Sequence, residues 1–233
     1  MCNFEVLNSA YIILLPKKDD ATNVKYYMPI SLVHSFTKLI TKMLANRLAG
    51  RLDQMITQNQ SAFIKGRFIL DNFMLVQHTT RYLHQQKQPH ILLKLDITKA
   101  FDSVSWPFLL EVMQVMQRVG FGHVWCDIIS GLLASSSTQI LLNGSPGDRI
   151  AHRRGLRQGD PISPMLFILI MDVLCHLIKK ASEEELLQPL ARRALQHRIS
   201  VYADDVVIFL RPTTSDISIT LDILQLFGGS FWS

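Results

Sequence analysis

The chain has 233 residues, of which 48% are apolar and 18% charged, and these values allow a packed core without disulfides. Three scattered cysteines, Cys2, Cys126 and Cys175, match neither a zinc-site spacing nor a disulfide framework. No apolar run approaches the roughly 20 residues of a membrane span, and the N-terminus lacks the basic region of a signal peptide. Composition therefore argues against a disulfide-rich secreted protein, a zinc module and a membrane protein, and we expect a nuclear or cytoplasmic location.

The net charge of +5 is confined to the first third of the chain. Residues 1–70 contain nine Lys or Arg and four Asp or Glu, whereas residues 71–233 contain 15 of each sign. A basic segment joined to a neutral one predicts a surface that faces phosphates. A solvated, lysine-rich helix is the alternative interpretation.

The N-terminal elements follow from apolar spacing. Tyr11–Leu15 is predicted to be a short strand, and residues 16–20 form a polar turn. From Phe36 to Ile56 apolar residues recur at steps of three and four, which predicts a helix over residues 35–56. A second helix is expected over about residues 72–85.

The rest of the chain alternates between strand and helix patterns. Helices are predicted over 107–118, with Ser105 as the cap and Gly120 at the end, and over 163–180. Strands are predicted over His90–Ile97, Gln139–Leu142, Ile199–Tyr202 and Val206–Leu210. Asn143-Gly144 after the second of these strands is a strong hairpin signal. The mixture predicts an α+β fold with a small antiparallel sheet backed by helices.

Three acids lie at the ends of apolar strands. Asp96 is near the end of the tract LLKLDIT, and Asp204 and Asp205 are at the tip of the last hairpin. Ionised carboxylates beside a buried sheet are unfavourable unless they are compensated, and carboxylate oxygens are the ligands that Mg²⁺ prefers. Two such ions about 4 Å apart activate the attacking hydroxyl and stabilise the leaving pyrophosphate. We therefore expect the three carboxylates to converge on adjacent strands, although an Asp-Asp pair by itself is more often only a turn.

Five tracts in order resemble the reverse transcriptases of non-LTR (LINE-type) retrotransposons, particularly those of plants. LKLDITKAFDSVSW (93–106), GLRQGDPISPMLF (155–167) and YADD (202–205) are similar to motifs A, B and C of that family. YYMPISLVHSFTKLITKMLANRL (26–48) and QSAFIKGR (60–67) resemble its N-terminal finger motifs. The resemblance implies the fingers and palm of a right-hand polymerase, with a ferredoxin-like palm sheet.

The resemblance also implies roles for individual residues. Asp96, Asp204 and Asp205 would hold two Mg²⁺ ions, with Mn²⁺ as a substitute, and the Ile97 carbonyl would assist them. Phe101 matches the aromatic steric gate that excludes a ribose 2′-hydroxyl. Gln158 and Gly159 match residues that line the nucleotide. Candidate nucleic-acid contacts are Lys65, Arg67 and Arg157. The implied partners are an RNA template, a DNA primer and a dNTP.

Two departures from the family pattern affect the functional interpretation. Met28 occupies a position where the family has an arginine that binds the triphosphate.

We expect fingers over about residues 1–89, and a palm over 90–227 that includes a fingers–palm segment near 120–150. Residues 228–233 form an aberrant tail where the family continues into a primer grip and thumb. A truncated or decayed copy is therefore expected to incorporate little dNTP. The alternatives are an inactive remnant that binds nucleic acid and an RNA-copying RNA polymerase.

Overall fold

A computed structural model describes residues 4–117, 120–191, 195 and 197–232. The helices are α1 Phe4–Leu7, α2 Ser35–Met55, α3 Ile69–Gln85, α4 Ala100–Ser103, α5 Trp106–Gln117, α6 His123–Ala134, α7 Ser163–Glu183 and α8 Thr214–Trp232. The strands are β1 Ser9–Pro16, β2 Tyr27–Val33, β3 Ile91–Asp96, β4 Ser137–Leu142, β5 Ser145–Pro146, β6 Ile150–Ala151, β7 Ile199–Tyr202 and β8 Asp205–Leu210. A 3-10 turn, Val24–Tyr26, precedes β2.

The chain divides into two compact units, and each consists of two separate stretches of sequence. The first unit contains residues 1–47 and 101–164, and the second contains 48–100 and 165–233. These boundaries differ from those of the fingers and palm segments expected from the sequence, and that assignment stays a prediction.

The second unit contains the small antiparallel sheet. Its strand order is β3-β8-β7, and both pairings are antiparallel. Phe209 of β8 packs in a buried cluster with Leu83 of α3, Leu190 and Ala191. The almost wholly apolar α7 lies in the core, as its sequence predicts, since Leu166–Met171 are all buried. The expected α+β architecture with a small antiparallel sheet is present, and we call the sheet β3-β8-β7 the palm-like sheet.

Helix α8 includes residues that the sequence analysis assigned to an aberrant tail. Residues 228–232 continue the helix in spite of Gly228 and Gly229. Phe231 is fully buried, and its ring lies edge-on to Phe167 with the centroids 6.5 Å apart. Burial of an aromatic side chain offsets the low helix propensity of the two glycines.

The first unit is built on a second, mixed sheet. Its order is β2-β1-β4-β5, with β6 also paired to β4. Strand β1 is antiparallel to β2 and parallel to β4. The Asn143-Gly144 hairpin is confirmed, since Leu142 pairs with Ser145 and both turn residues have positive φ. Helices α5 and α6 pack together. Just before α6, the ring of Phe121 lies 4.8 Å from that of Trp125, measured between centroids.

Most predicted elements are present, with small shifts of their ends. Helix α3 begins three residues before the predicted start, and Asp205 belongs to β8 rather than to the turn. The predicted end of α5 near Arg118 lies outside the described residues. Strand β2 and helices α6 and α8 were not predicted.

Candidate active site

The acidic hairpin has a two-residue loop. Tyr202 of β7 pairs with Asp205 of β8, so that Ala203 and Asp204 form the turn. Ala203 has φ of 53°, because tight hairpin turns require a positive φ at the first central position. Such a conformation is unfavourable for a non-glycine residue and is typical of functional sites. Asp204 is half-buried and Asp205 is exposed.

Asp96 and Asp205 face each other across the sheet. They are direct register partners of β3 and β8, so their side chains project from the same face. Two carboxylates in this relation repel each other. The Lys94 ammonium lies 3.3 Å from the Asp205 carboxylate and reduces that repulsion, although both groups are well exposed and the pair is weak.

The donor set fits a hard divalent cation. Within the part of the chain that the structure describes, no three His, Cys, Asp or Glu side chains form a group able to hold a metal ion. The sheet brings together the pair Asp96 and Asp205, with Asp204 in the adjoining turn. Mg²⁺ commonly takes only one or two protein carboxylates and completes its shell with substrate phosphates and water. The three-carboxylate site, and the carbonyl of Ile97 directly after β3, stay predictions.

Three side-chain amides hold the strand that leads to this turn. Asn59 donates to the Ile199 carbonyl, and Asn72 donates to the Ser200 hydroxyl and to the Val201 carbonyl at 2.9 Å. Gln60 accepts from the N–H of Ala203 at 3.1 Å. We call these three residues the amide clamp. The amide clamp was not predicted from the sequence. The signal available there was that Asn59, Gln60 and Asn72 all lie in or near the tract QSAFIKGR.

In the first unit, Phe101 is fixed by its backbone. The Leu156 N–H donates to the Phe101 carbonyl at 2.7 Å, and the Gly155 N–H donates to the Val104 carbonyl at 2.7 Å. The Trp106 indole donates to the Gly155 carbonyl at 2.8 Å. These bonds join the segment 101–106 to the loop 153–159, although the two tracts are about 50 residues apart in sequence. The steric-gate role of Phe101 stays a prediction.

Gln158 and Gly159 are exposed in the same loop. Gly159 has φ of +83°, and a Cβ there would meet nothing within 4 Å, so its backbone conformation is what requires glycine. Asp160 follows it, and burial raises the pKa of its carboxyl, although a hydrogen bond with Thr41 acts in the opposite direction. Gln158 and Gly159 are therefore accessible in this loop, and their contact with a nucleotide stays a prediction.

Two of the predicted nucleic-acid contacts are engaged within the fold. Arg157 donates to the carbonyl of Asn8 at 2.8 Å and to its side-chain oxygen at 3.1 Å, and burial lowers the pKa of the guanidinium. Arg67 donates to the carbonyls of Ile56, Thr57 and Gln60 and to Asp53. Those bonds give both arginines a structural role, and Lys65 is exposed. Nucleic-acid contact by the three residues stays a prediction.

Met28 lies on β2 with 47% of its surface exposed. Its lysine neighbours in sequence are partly engaged, since the ammoniums of Lys18 and Lys25 lie over the Tyr26 ring at 3.8 and 4.9 Å. Cation–π contacts of this kind are weak at exposed sites. Both lysines remain available to an anion, but neither has the planar, bidentate donors of an arginine.

Comparison with solved structures defines the class of fold. The chain superimposes over 96% of its length on 48% of apo telomerase from Candida tropicalis truncated from its C-terminal domain, with a TM-score of 0.63 and 11% identity. At that identity the likeness concerns the fold alone, and it is a polymerase fold. Among the described residues, no helix has both the length and the hydropathy needed to cross a bilayer.

The particular family follows from the sequence comparisons. The family model described as reverse transcriptase (RNA-dependent DNA polymerase) matches residues 15–230, and the chain belongs to that family. It is 32% identical over 200 residues to the transposon TX1 uncharacterized 149 kDa protein of Xenopus laevis, which covers 85% of the chain. It is also 32% identical over 166 residues, or 70% of the chain, to the Pol polyprotein of the type-1 retrotransposable element R2 of Popillia japonica. The chain spans 15% and 23% of these two relatives.

Proposed function

We propose that this chain carries the nucleotidyl-transfer centre of an RNA-directed DNA polymerase from a non-LTR retrotransposon. The observation that supports the proposal most directly is the register pair of Asp96 and Asp205 beside the Asp204 turn, in a chain of the reverse transcriptase family. The substrates would be a primed RNA template and a dNTP. A nuclear or cytoplasmic site of action belongs to the same proposal.

The residues closest to the chemistry have two proposed roles. Asp96, Asp204 and Asp205, with the Ile97 carbonyl, would hold two Mg²⁺ ions. When bound, these ions supply activation of the primer 3′-hydroxyl and neutralisation of charge on the departing pyrophosphate. The ring of Phe101 would exclude the 2′-hydroxyl of a ribonucleotide.

The exposed loop residues would bind the reactants. Gln158 would contact the nucleotide, and Gly159 would allow close approach of the backbone. Lys65 would contact a backbone phosphate as a mobile point charge. Arg67 and Arg157 would act indirectly, because their hydrogen bonds keep the neighbouring loops in place.

Single-nucleotide addition to a primed RNA template, with the protein in excess over primer, tests the proposal. We expect slow addition, because the chain is expected to incorporate little dNTP. That addition should require Mg²⁺ or Mn²⁺ and fall by at least about 100-fold in Asp205→Asn, since removal of a key electrostatic contact typically has effects of that size. Asp222→Asn is the matched control, because Asp222 is an exposed acid on α8. Primer binding without metal-dependent addition would support the inactive nucleic-acid-binding remnant instead. Preference for ATP over dATP would support an RNA polymerase.

A further inference from the structure

One edge of the palm-like sheet is formed by strand β7. This strand is last in the order β3-β8-β7, so one side of its backbone has no partner strand within this sheet. The segment just after α2 covers that side: the Val201 N–H donates to the Asn59 carbonyl at 2.8 Å, and the Ser61 N–H donates to the Val201 carbonyl at 3.3 Å. Gln60 and Val201 thus form a parallel bridge.

The Gln60 side chain extends from this bridge to the turn. It is completely buried, with 0% of its surface exposed. Its Oε1 accepts two hydrogen bonds, from the Ala62 N–H at 2.9 Å and from the Ala203 N–H at 3.1 Å. Ala203 is itself buried and has φ of 53°. A buried N–H in such a turn needs an acceptor, and Gln60 supplies it.

The other two residues of the amide clamp act at different positions. Asn59 and Asn72 bind the backbone or side chains of residues 199–201, within the strand. Gln60 instead binds the first residue of the turn, and the next two residues are Asp204 and Asp205. Rotation of the Ala203 peptide would redirect both carboxylates, so its hydrogen bond bears directly on their placement.

We propose that Gln60 is a positioning residue for the acidic hairpin: its buried side-chain oxygen fixes the Ala203 peptide and thereby orients Asp204 and Asp205 for divalent-cation binding. The inference rests on the proposed function, because it assumes that the hairpin binds metal. Because Gln60 is fully buried, it would contact neither metal nor substrate and would act only through the turn. Outer residues that orient metal ligands typically change metal affinity by about 10- to 100-fold when they are altered.

Terbium(III) luminescence of the full 233-residue chain tests this without an activity assay. Tb³⁺ binds carboxylate oxygens, and Tyr202, paired with Asp205 in the hairpin, is placed to sensitise its emission. The quantity measured is the Asp205-dependent emission, defined as the difference between the parent chain and Asp205→Asn. Displacement by Mg²⁺ and Mn²⁺ identifies the same site.

The decisive variant is Gln60→Met, which keeps the side-chain length and removes the acceptor. We expect its Tb³⁺ affinity to fall about tenfold. Gln60→Glu keeps an acceptor at the same reach; because a fully buried carboxyl stays protonated, it adds no charge and should bind about as tightly as the parent. Gln58→Met is the matched control, because Gln58 is exposed two residues away, and it should be unchanged.

The outcomes separate the two proposals. Parent-like affinity in a folded Gln60→Met, or equal weakening in Gln60→Glu, would overturn the positioning role and leave the metal site intact. Absence of Asp205-dependent binding in the parent chain would overturn the proposed function and this inference with it. If Gln60→Met does not fold, Gln60→Asn replaces it. This variant keeps the amide but shortens its reach, and parent-like binding by it would equally overturn the role.

Discussion

Gly155, in the loop 153–159, packs closely against the backbone of the segment that follows Phe101. Gly155 has φ of +82°, and a Cβ at this position would lie 2.7 Å from the Asp102 carbonyl oxygen. No side chain fits there without movement of the backbone. The requirement comes from close packing as well as from conformation, and this distinguishes Gly155 from Gly159, which has the same φ region and open space.

The first prediction compares alanine at these two glycines. Gly159→Ala should destabilise the chain by about 1–2 kcal/mol, which is the penalty for an L-residue in the left-handed region. Gly155→Ala should lose roughly 1–3 kcal/mol more, because overpacking is added to the same conformational penalty. Urea unfolding of both variants measures the difference. Equal losses would show that the Asp102 contact relaxes freely.

Residue-level roles were the hardest part to predict from sequence. Arg67 and Arg157 are basic residues of the kind expected at a phosphate-binding surface, and their contact with nucleic acid stays a prediction. Their guanidinium groups donate to backbone carbonyls of the fold. An arginine that caps carbonyls and one that faces phosphate look identical in a sequence. The pairing of Asp96 with Asp205 on adjacent strands was easier to predict, because an acid at the end of an apolar strand is unfavourable unless a cation or hydrogen bonds compensate its charge. Their role as metal ligands stays a prediction.

At the scale of elements, apolar periodicity located helices better than it located their buried faces. In α2 the predicted stripe is buried at Leu44, Leu48 and Leu52, whereas Leu39 and Met43 near its start are exposed. Spacing identifies a face of a helix but not the neighbour that covers it. Helix α8 was missed although Thr213 and Asp216 have the three-residue spacing of a capping box. The Asp216 N–H donates to the Thr213 hydroxyl at 3.2 Å, and that hydroxyl lies 3.4 Å from the Asp216 carboxylate and donates to it.

The second prediction concerns the acid of that capping box. Asp216 is completely buried, accepts from Arg198 at 3.2 Å and from the Gln188 N–H at 3.1 Å, and lies in the first turn of α8. Asp216→Ala leaves the buried Arg198 without its carboxylate and should cost about 3–5 kcal/mol. Asp222→Ala, an exposed acid on the same helix, should change stability by less than about 0.5 kcal/mol.

Chemical denaturation of both Asp216→Ala and Asp222→Ala provides the measurement. A loss below about 1 kcal/mol in Asp216→Ala would mean that water replaces the carboxylate beside Arg198. Burial lowers the pKa of the Arg198 guanidinium even though Asp216 acts in the opposite direction. This direction is expected because burial out of water disfavours the charged form.

At the scale of the whole molecule, charge is distributed unevenly, and the third prediction follows from this. Residues 1–70 carry the entire net charge of +5, and Lys38 and Lys42 lie exposed one helical turn apart on α2. Binding of single-stranded RNA should weaken linearly with log salt, and replacing both lysines by Gln should reduce the slope by about 1.4, at about 0.7 per phosphate contact.

The control for this prediction uses two lysines from the neutral part of the chain. Lys179 and Lys180 on α7 pair with Glu183 and Glu184, so Lys179→Gln with Lys180→Gln removes the same charge elsewhere. The salt slope of that variant should match the parent chain. Equal slopes in all three proteins, measured by fluorescence anisotropy of labelled RNA, would show that the basic face of α2 is only solvated.

Long-range topology was only partly predictable. The hairpin β7–β8 and the strand β3 are marked by local pattern, and their antiparallel sheet was expected. The parallel pairing of β1 with β4 was not, because Ser9 and Ser137 are brought together across much of the chain and nothing local marks the partnership. The division into two units, each made of two separate stretches of sequence, could not be predicted for the same reason: no local pattern marks it.

The bridge between Gln60 and Val201 also has a consequence for synthesis of the chain. A bare strand edge offers a row of unpaired N–H and C=O groups to any other chain nearby, which is a common start of aggregation. Here the segment around Gln60, which covers the edge of β7, leaves the ribosome about 140 residues before Val201 of that strand. Edge and cover belong to one chain and the cover is always made first, so the nascent hairpin can be shielded as soon as it forms.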